Sequence, residues 1–168
     1  AITEAGKRFE QKKFFLPQLI GAAEAMKAAV EVLEPCLQKD GAKAEAGTVI
    51  IATVEGDIHD IGKNLVSLML KNHGFTVVDL GKDVTAEVIV AEAKRLDADV
   101  IALSALMTTT MRSMKEVIEL RDKEKIRARV MIGGAVTTQE YAEEIGADGY
   151  AKDAQGAVTL AKRLAGGI

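Results

Sequence analysis

One of the chain's two histidines, His59, stands in the stretch GDIHDIGKN (residues 56–64), with Asp57 two residues before it and Asp60 directly after it. A carboxylate at that separation can take one ring N–H of the imidazole. This fixes the tautomer, orients the ring and raises the basicity of the other nitrogen, as in a metal-bound histidine backed by a carboxylate. A lone loop histidine would carry no functional reading; Asp57 is what changes it. The other histidine, His73, falls in the last turn of an expected helix just before Gly74, where the helix dipole accounts for it.

A zinc site needs three or four protein ligands. One loop histidine, the single Cys36 and scattered carboxylates do not supply such a set. A metal already held in a macrocycle needs only one axial ligand, so the pattern points to a haem-like or corrin-like cofactor that carries the chemistry while the protein tunes its axial bond.

These residues are positioned by a βα alternation that runs from Thr48 onward. The apolar run TVIIATV, a helix from Ile61 to Asn72, FTVVDL, a helix from Thr85 to Leu96 and DVIALSAL come first. A helix from Met111 to Lys123, RVMIGG, a helix from Thr138 to Ile145, DGYA and a helix from Asp153 to Leu164 follow. Strands apolar on both faces and separated by single helices imply a parallel sheet covered on each side. The expected fold is α/β: a doubly wound, flavodoxin-like (Rossmann-like) five-stranded parallel sheet. Thr85 is expected to cap its helix, with Gly74 and Gly146 ending two others.

Ligands of open parallel sheets sit beyond the carboxyl ends of the strands, where strand order reverses. The sequence places Asp57, His59 and Gly62 there after the first strand, and Ser104, Leu106, Thr108 and Thr110 after the third. Gly133 and Gly134 follow the fourth, and Lys152 and Asp153 the fifth. Gly62 costs a helix start about 1 kcal/mol relative to Ala, which a ligand passing close to the backbone would explain. Gly133 and Gly134 read equally as ligand approach or as turn glycines. Met107, Met111 and Met114 read as core or pocket lining.

Ahead of the sheet, Ile2–Lys12 and Pro17–Gln38 read as helices. Two helices bury an apolar face poorly alone, so residues 1–40, a helical cap, either pack on the sheet or, as favoured here, are part of a truncated bundle, with 41–47 as linker and 48–168 as the ligand-binding domain. A net charge of −3 and 4% aromatic residues argue against nucleic-acid binding. No apolar run is long enough to span a bilayer, and a single cysteine with no signal-peptide pattern reads as cytoplasmic.

Together, DIHDIG, SALMTTT and IGGA resemble the Asp-x-His-x-x-Gly, Ser-x-Leu and Gly-Gly signature of cobalamin-binding domains. The upstream segment FEQKKFFLPQLIGAAEAMKAAVEVLEP is similar to the helical cap of methionine synthase and of corrinoid proteins in anaerobic methyltransferase systems. The resemblance implies cobalamin as cofactor, with His59 replacing its dimethylbenzimidazole as lower cobalt ligand. Asp57 would stand behind His59, and Thr110 at the third position of the relay, where the family often has Ser. Asp60, Ile61, Gly62, Ser104, Leu106, Thr108, Gly133 and Gly134 would line the cofactor site and the slot for the displaced nucleotide tail. Phe9, Leu16 and Leu19 match positions that cover the upper corrin face, although at helical spacing they also read as helix core.

The function implied is a methyl carrier cycling between Co(I) and methyl-Co(III). It would serve a donor-side methyltransferase and an acceptor-side methyltransferase, with a reductive activator as a further partner and linker 41–47 as a hinge. A stand-alone carrier is expected rather than a fragment of methionine synthase. Three alternatives share the sheet. An adenosylcobalamin mutase subunit would not need the FLPQL cap. A cobalamin-dependent regulator would carry a DNA-binding segment. A phospho-acceptor receiver would want an aspartate where Ser104 stands.

Overall fold

The computed structural model describes residues 46–166 and scattered positions between 8 and 32. The chain divides into two compact units, Ala1–Lys39 and Asp40–Ile168. In the first, Gln18 and the described positions from Gly21 to Val32 are helical, as the sequence led us to expect. Phe9, Leu16, Leu19, Cys36 and residues 41–45 of the expected linker lie outside the described residues. Ala46 and Gly47 already belong to the sheet unit. Ala46 N donates to Gly74 O at 3.2 Å, Gly47 O accepts from Thr76 N at 3.0 Å, and the next amide, Thr48 N, donates to Asp99 at 2.8 Å.

The sheet unit runs β1 (Thr48–Thr53), α1 (Ile61–Asn72), β2 (Thr76–Asp79), α2 (Ala86–Arg95), β3 (Val100–Ser104), α3 (Met111–Lys123), β4 (Arg129–Gly133), α4 (Gln139–Ile145), β5 (Gly149–Ala151) and α5 (Ala154–Ala165). All strand pairs are parallel, in the order β2-β1-β3-β4-β5. This is the flavodoxin-like order, whose switch point lies between β1 and β3. Among the described residues no helix is long and apolar enough to cross a membrane.

Alternation along the central strands builds a core on each face. Ile50, Ala52, Ile101, Leu103, Val130 and Ile132 face one side, where Ile89, Val90 and Ala93 of α2 and Met114, Val117 and Ile118 of α3 cover them. Val49, Ile51, Val100, Ala102 and Met131 face the other, against Leu70 of α1 and Val158, Leu160 and Ala161 of α5. Each fully buried aliphatic chain contributes roughly 1.5–3 kcal/mol, so α1 and α3 are firm supports for the loops that precede them.

Caps divide the helices. Thr138 Oγ1 accepts from Tyr141 N at 3.2 Å, Asp153 Oδ1 accepts from Gly156 N at 2.8 Å, and Gly146 ends α4 in the left-handed region. Thr85 holds the N-cap position of α2, but its side chain makes no cap bond, which corrects the expected role. His73 ends α1 with Nδ1 2.8 Å from Met69 O, a local reason for its presence.

At the amino ends of β4 and β5, on the edge opposite the site, Asp148 ties its own turn to α3 and β4. Its Oδ2 accepts from Val130 N at 2.7 Å and Arg121 Nη1 at 2.9 Å, and its Oδ1 from Arg129 Nη1 at 2.9 Å. Burial pushes this carboxyl up, but the Val130 amide and the two guanidinium groups outweigh it and hold it below the usual carboxylate range. A carboxyl whose folded pKa is depressed adds stability above its unfolded value, about 3.9, and loses it as pH falls through the folded value. Asp148→Asn is therefore expected to cost about 1–3 kcal/mol at pH 7. In urea denaturation the gap to the parent should narrow below about pH 4; a gap that stays constant with pH would contradict this.

Candidate functional site

The site is built where β1 and β3 end. After Thr53 the chain turns through residues 54–60 and enters α1; after Ser104 it turns through residues 105–110 and enters α3. Asp57, fully buried, joins the two turns. Its Oδ2 accepts from Leu106 N at 2.7 Å, Met107 N at 3.2 Å and Thr110 Oγ1 at 2.8 Å. Its Oδ1 accepts from His59 N at 3.0 Å and lies 2.7 Å from His59 Nδ1. Burial alone would raise the Asp57 carboxyl. The Leu106 and His59 amides, the imidazole and the Thr110 hydroxyl together hold it far below the usual carboxylate range.

An ionised Asp57 accepts at Nδ1, so that nitrogen carries the ring proton and Nε2 keeps a lone pair. The His59 side chain is 45% exposed while that of Asp57 is 0% exposed. His59 O also accepts from Thr53 Oγ1 at 3.1 Å, anchoring the histidine's main chain to the end of β1. The result is a fixed imidazole that offers one nitrogen outward. Thr110 occupies the N-cap position of α3 without capping it, because its hydroxyl is engaged with Asp57 and, at 2.8 Å, with Met107 O.

The other expected residues gather around this pair to differing degrees. Asp60 sits at the N-cap position of α1 without a side-chain cap bond, followed by half-buried Ile61 and exposed Gly62. A Cβ at Gly62 would meet nothing within 4 Å, so the backbone there faces open space. Ser104 O accepts from Val54 N at 3.1 Å, linking the two strand ends, and Leu106 and Thr108 are exposed.

Gly133 and Gly134 have internal reasons. A Cβ on Gly134, at φ +126°, would lie 2.0 Å from Ala105 O, and one on Gly133 would lie 3.1 Å from Ala151 O. The close approach at these two positions is that of the neighbouring backbone. Asp153 is used as the α5 cap. The methionines separate: Met114 is core, Met107 is exposed beside the site, and Met111 O accepts from Tyr141 OH at 2.7 Å.

Sequence reasoning missed the Leu106 and Met107 amides, because a main-chain donor leaves no trace in residue type. It also missed Ile58, which is 63% exposed. An apolar residue between Asp57 and His59, in a loop where solvent would favour a polar one, was the available signal. Ile58, Leu106 and Met107 form an apolar rim on the two turns. Among the described residues no group of three or more His, Cys, Asp or Glu gathers to hold an ion. One outward imidazole nitrogen, an apolar rim and an open backbone at Gly62 fit a flat macrocycle whose metal needs a single protein ligand.

Comparison with known proteins identifies the family. A B12 binding domain family matches residues 47–159, and a second B12 binding domain family matches residues 1–34. The chain belongs to the B12-binding corrinoid proteins. It is 48% identical to dimethylamine corrinoid protein 3 of Methanosarcina mazei over 97% of this chain and 99% of that one. The monomethylamine corrinoid protein of Methanosarcina barkeri is similar in structure, with a TM-score of 0.86 and 42% identity over 97% of this chain and 78% of that one. A chain of the methanol:cobalamin methyltransferase complex of the same organism matches with a TM-score of 0.71 and 32% identity, over 99% of this chain and 64% of that one. The cofactor of this corrinoid protein is accordingly cobalamin or a close corrinoid relative.

The Thr110 hydroxyl is expected to matter more than its methyl group. Thr110→Val should lower stability by about 1–2 kcal/mol in urea denaturation, by removing one of the donors to a buried carboxylate. Thr110→Ser should recover most of that loss. Equal losses in the two variants would show that packing, not the hydrogen bond, is what Thr110 supplies.

Proposed function

We propose that this corrinoid protein carries a methyl group between a donor-specific methyltransferase and an acceptor methyltransferase, with His59 Nε2 as the lower cobalt ligand in place of the cofactor's dimethylbenzimidazole. The observation that carries the reading is the 2.7 Å contact between His59 Nδ1 and buried Asp57, which leaves Nε2 as the only ring nitrogen able to bind a metal. When bound, the corrinoid supplies a cobalt centre that accepts and releases the methyl group.

The chain's own residues position and exclude. Asp57 orients the imidazole and strengthens Nε2 as a donor, and Thr110 holds Asp57 from behind. Ile58, Leu106 and Met107 keep water from the lower side of the site. Asp60 and Ile61 would adjoin the cofactor beside His59, and Gly62, Ser104, Leu106, Thr108, Gly133 and Gly134 would line the slot for the displaced nucleotide tail. Whenever His59 is released from the metal it can hold a proton at Nε2. Asp57 remains a carboxylate throughout, because its two oxygens are already claimed by five donors.

The similar proteins named for dimethylamine and monomethylamine support a methylamine as donor; the acceptor would be a group such as a thiol or tetrahydrofolate. Donor choice then rests with the partner enzyme, since the described side chains around His59 offer no dedicated recognition of a small amine. A reductive activator completes the expected partners.

The test is reconstitution with hydroxocobalamin, followed by methyl transfer from mono-, di- and trimethylamine and from methanol, each with its cognate methyltransferase. Transfer from at least one methylamine is expected; none from any of the three would overturn the reading. His59→Ala should retain corrinoid but lose the imidazole nitrogen splitting from its Co(II) EPR spectrum. A spectrum identical to the parent's would remove His59 from the metal.

A further inference from the structure

Among the described residues the His59 ring hydrogen-bonds to Asp57, so what places Asp57 also places the ring. The Asp57 carboxylate is held from the β3 side, through Leu106, Met107 and Thr110. Its main chain is held through Asp57 N, which donates to Val54 O at 3.1 Å, and from the opposite side by one residue of the β2–α2 turn. Asp83 Oδ1 accepts from Gly56 N at 2.7 Å, and Asp83 N donates to Asp57 O at 3.0 Å. The two bonds bracket residues 56 and 57.

Asp83 has the marks of a residue kept for this contact. Its backbone lies at φ +56°, a left-handed conformation that costs a non-glycine residue roughly 1 kcal/mol, though Asp tolerates it better than most. Nothing in the core requires it, because the side chain is exposed. The neighbouring ladder is secured without its carboxylate: Thr53 N donates to Gly81 O at 3.0 Å, Val84 N donates to Thr53 O at 3.2 Å, and Val54 bridges buried Val84. Gly56 is itself at φ +81°. Two left-handed residues from adjoining turns, Gly56 and Asp83, are therefore hydrogen-bonded directly ahead of Asp57.

We propose that Asp83 is a positioning residue for the axial ligand: by clamping Gly56 and Asp57 from the β2 side, it sets where the His59 imidazole stands and how fully it engages the cobalt. The clamp rests on the ligand role assigned to His59 above. Without the Asp83 carboxylate the Gly56 amide loses its acceptor, the turn is held only by the main-chain bonds of Asp57 to Val54 and Asp83, and Asp57 and His59 together gain freedom to shift from the ligating position.

Two substitutions separate the clamp from the turn. Asp83→Gly keeps the left-handed backbone at no steric cost and removes the acceptor. Asp83→Asn keeps both a side-chain oxygen and tolerance of that backbone. In the cofactor-free full chain, the Gly56 amide should exchange roughly five-fold faster in Asp83→Gly, the equivalent of one modest hydrogen bond, and at close to the parent's rate in Asp83→Asn. In the hydroxocobalamin-reconstituted, Co(II)-reduced protein, the ratio of imidazole-ligated to non-ligated cobalt read from EPR nitrogen splitting should fall about three-fold in Asp83→Gly and recover in Asp83→Asn.

An Asp83→Gly protein with the parent's ligated fraction overturns the proposal while the parent's splitting leaves the His59 role intact. Failure of Asp83→Asn to recover the fraction also overturns it. A parent spectrum without imidazole nitrogen overturns the ligand role of His59, and this positioning role with it.

Discussion

A buried, ionised carboxylate that must be fully hydrogen-bonded is the constraint on which this site depends. Asp57 has no contact with solvent, so its charge is tolerable only while donors surround it. Three of those donors come from the β3–α3 turn and two from His59 itself. The same charge that requires them ties together the two turns at the sheet's switch point and fixes the tautomer of the histidine. Strand order, loop anchorage and ligand geometry thus meet in one side chain.

The surrounding architecture makes that arrangement affordable in conformational terms. β1, β3 and β4 are buried on both faces, and α1 and α3 carry their own core residues, so the turns that precede them start and end on rigid supports. The two helices that open at the site, α1 and α3, lack side-chain caps, whereas α4 and α5 have them. For α3 the reason is plain: the Thr110 hydroxyl that stands in the capping position serves Asp57 instead. Gly134 is equally constrained, since any side chain there would strike the Ala105 carbonyl and displace the turn that supplies the Leu106 and Met107 amides.

Much of this was legible in the sequence, for identifiable reasons. The bounds of α1 and α3 follow from apolar periodicity ended by His73–Gly74 and by the charged run after Leu120, and the structure reproduces Ile61–Asn72 and Met111–Lys123. The Asp57–His59 contact follows from their spacing, since two residues apart in a turn brings a carboxylate to its neighbour's ring. Strand FTVVDL shortens to Thr76–Asp79, because Phe75 turns into the core as the chain leaves α1. What could not be read was long-range and main-chain: the Leu106 and Met107 amides, the carbonyl that excludes a side chain at Gly134, and the reach of Asp83 across to Gly56. Thr85 shows the opposite error, a residue of the right type at the right position whose side chain makes no cap bond. The similarity to corrinoid proteins of methylamine systems adds the cofactor, which composition and spacing had left open between haem-like and corrin-like.

The most direct test of the central claim is a crystal structure of the full chain reconstituted with cobalamin. His59 Nε2 should be bonded to cobalt, with Nδ1 still on the Asp57 carboxylate and the benzimidazole tail displaced from the metal. A cobalt ligated by its own benzimidazole, or an imidazole that has turned away from Asp57 to reach the metal, would contradict it.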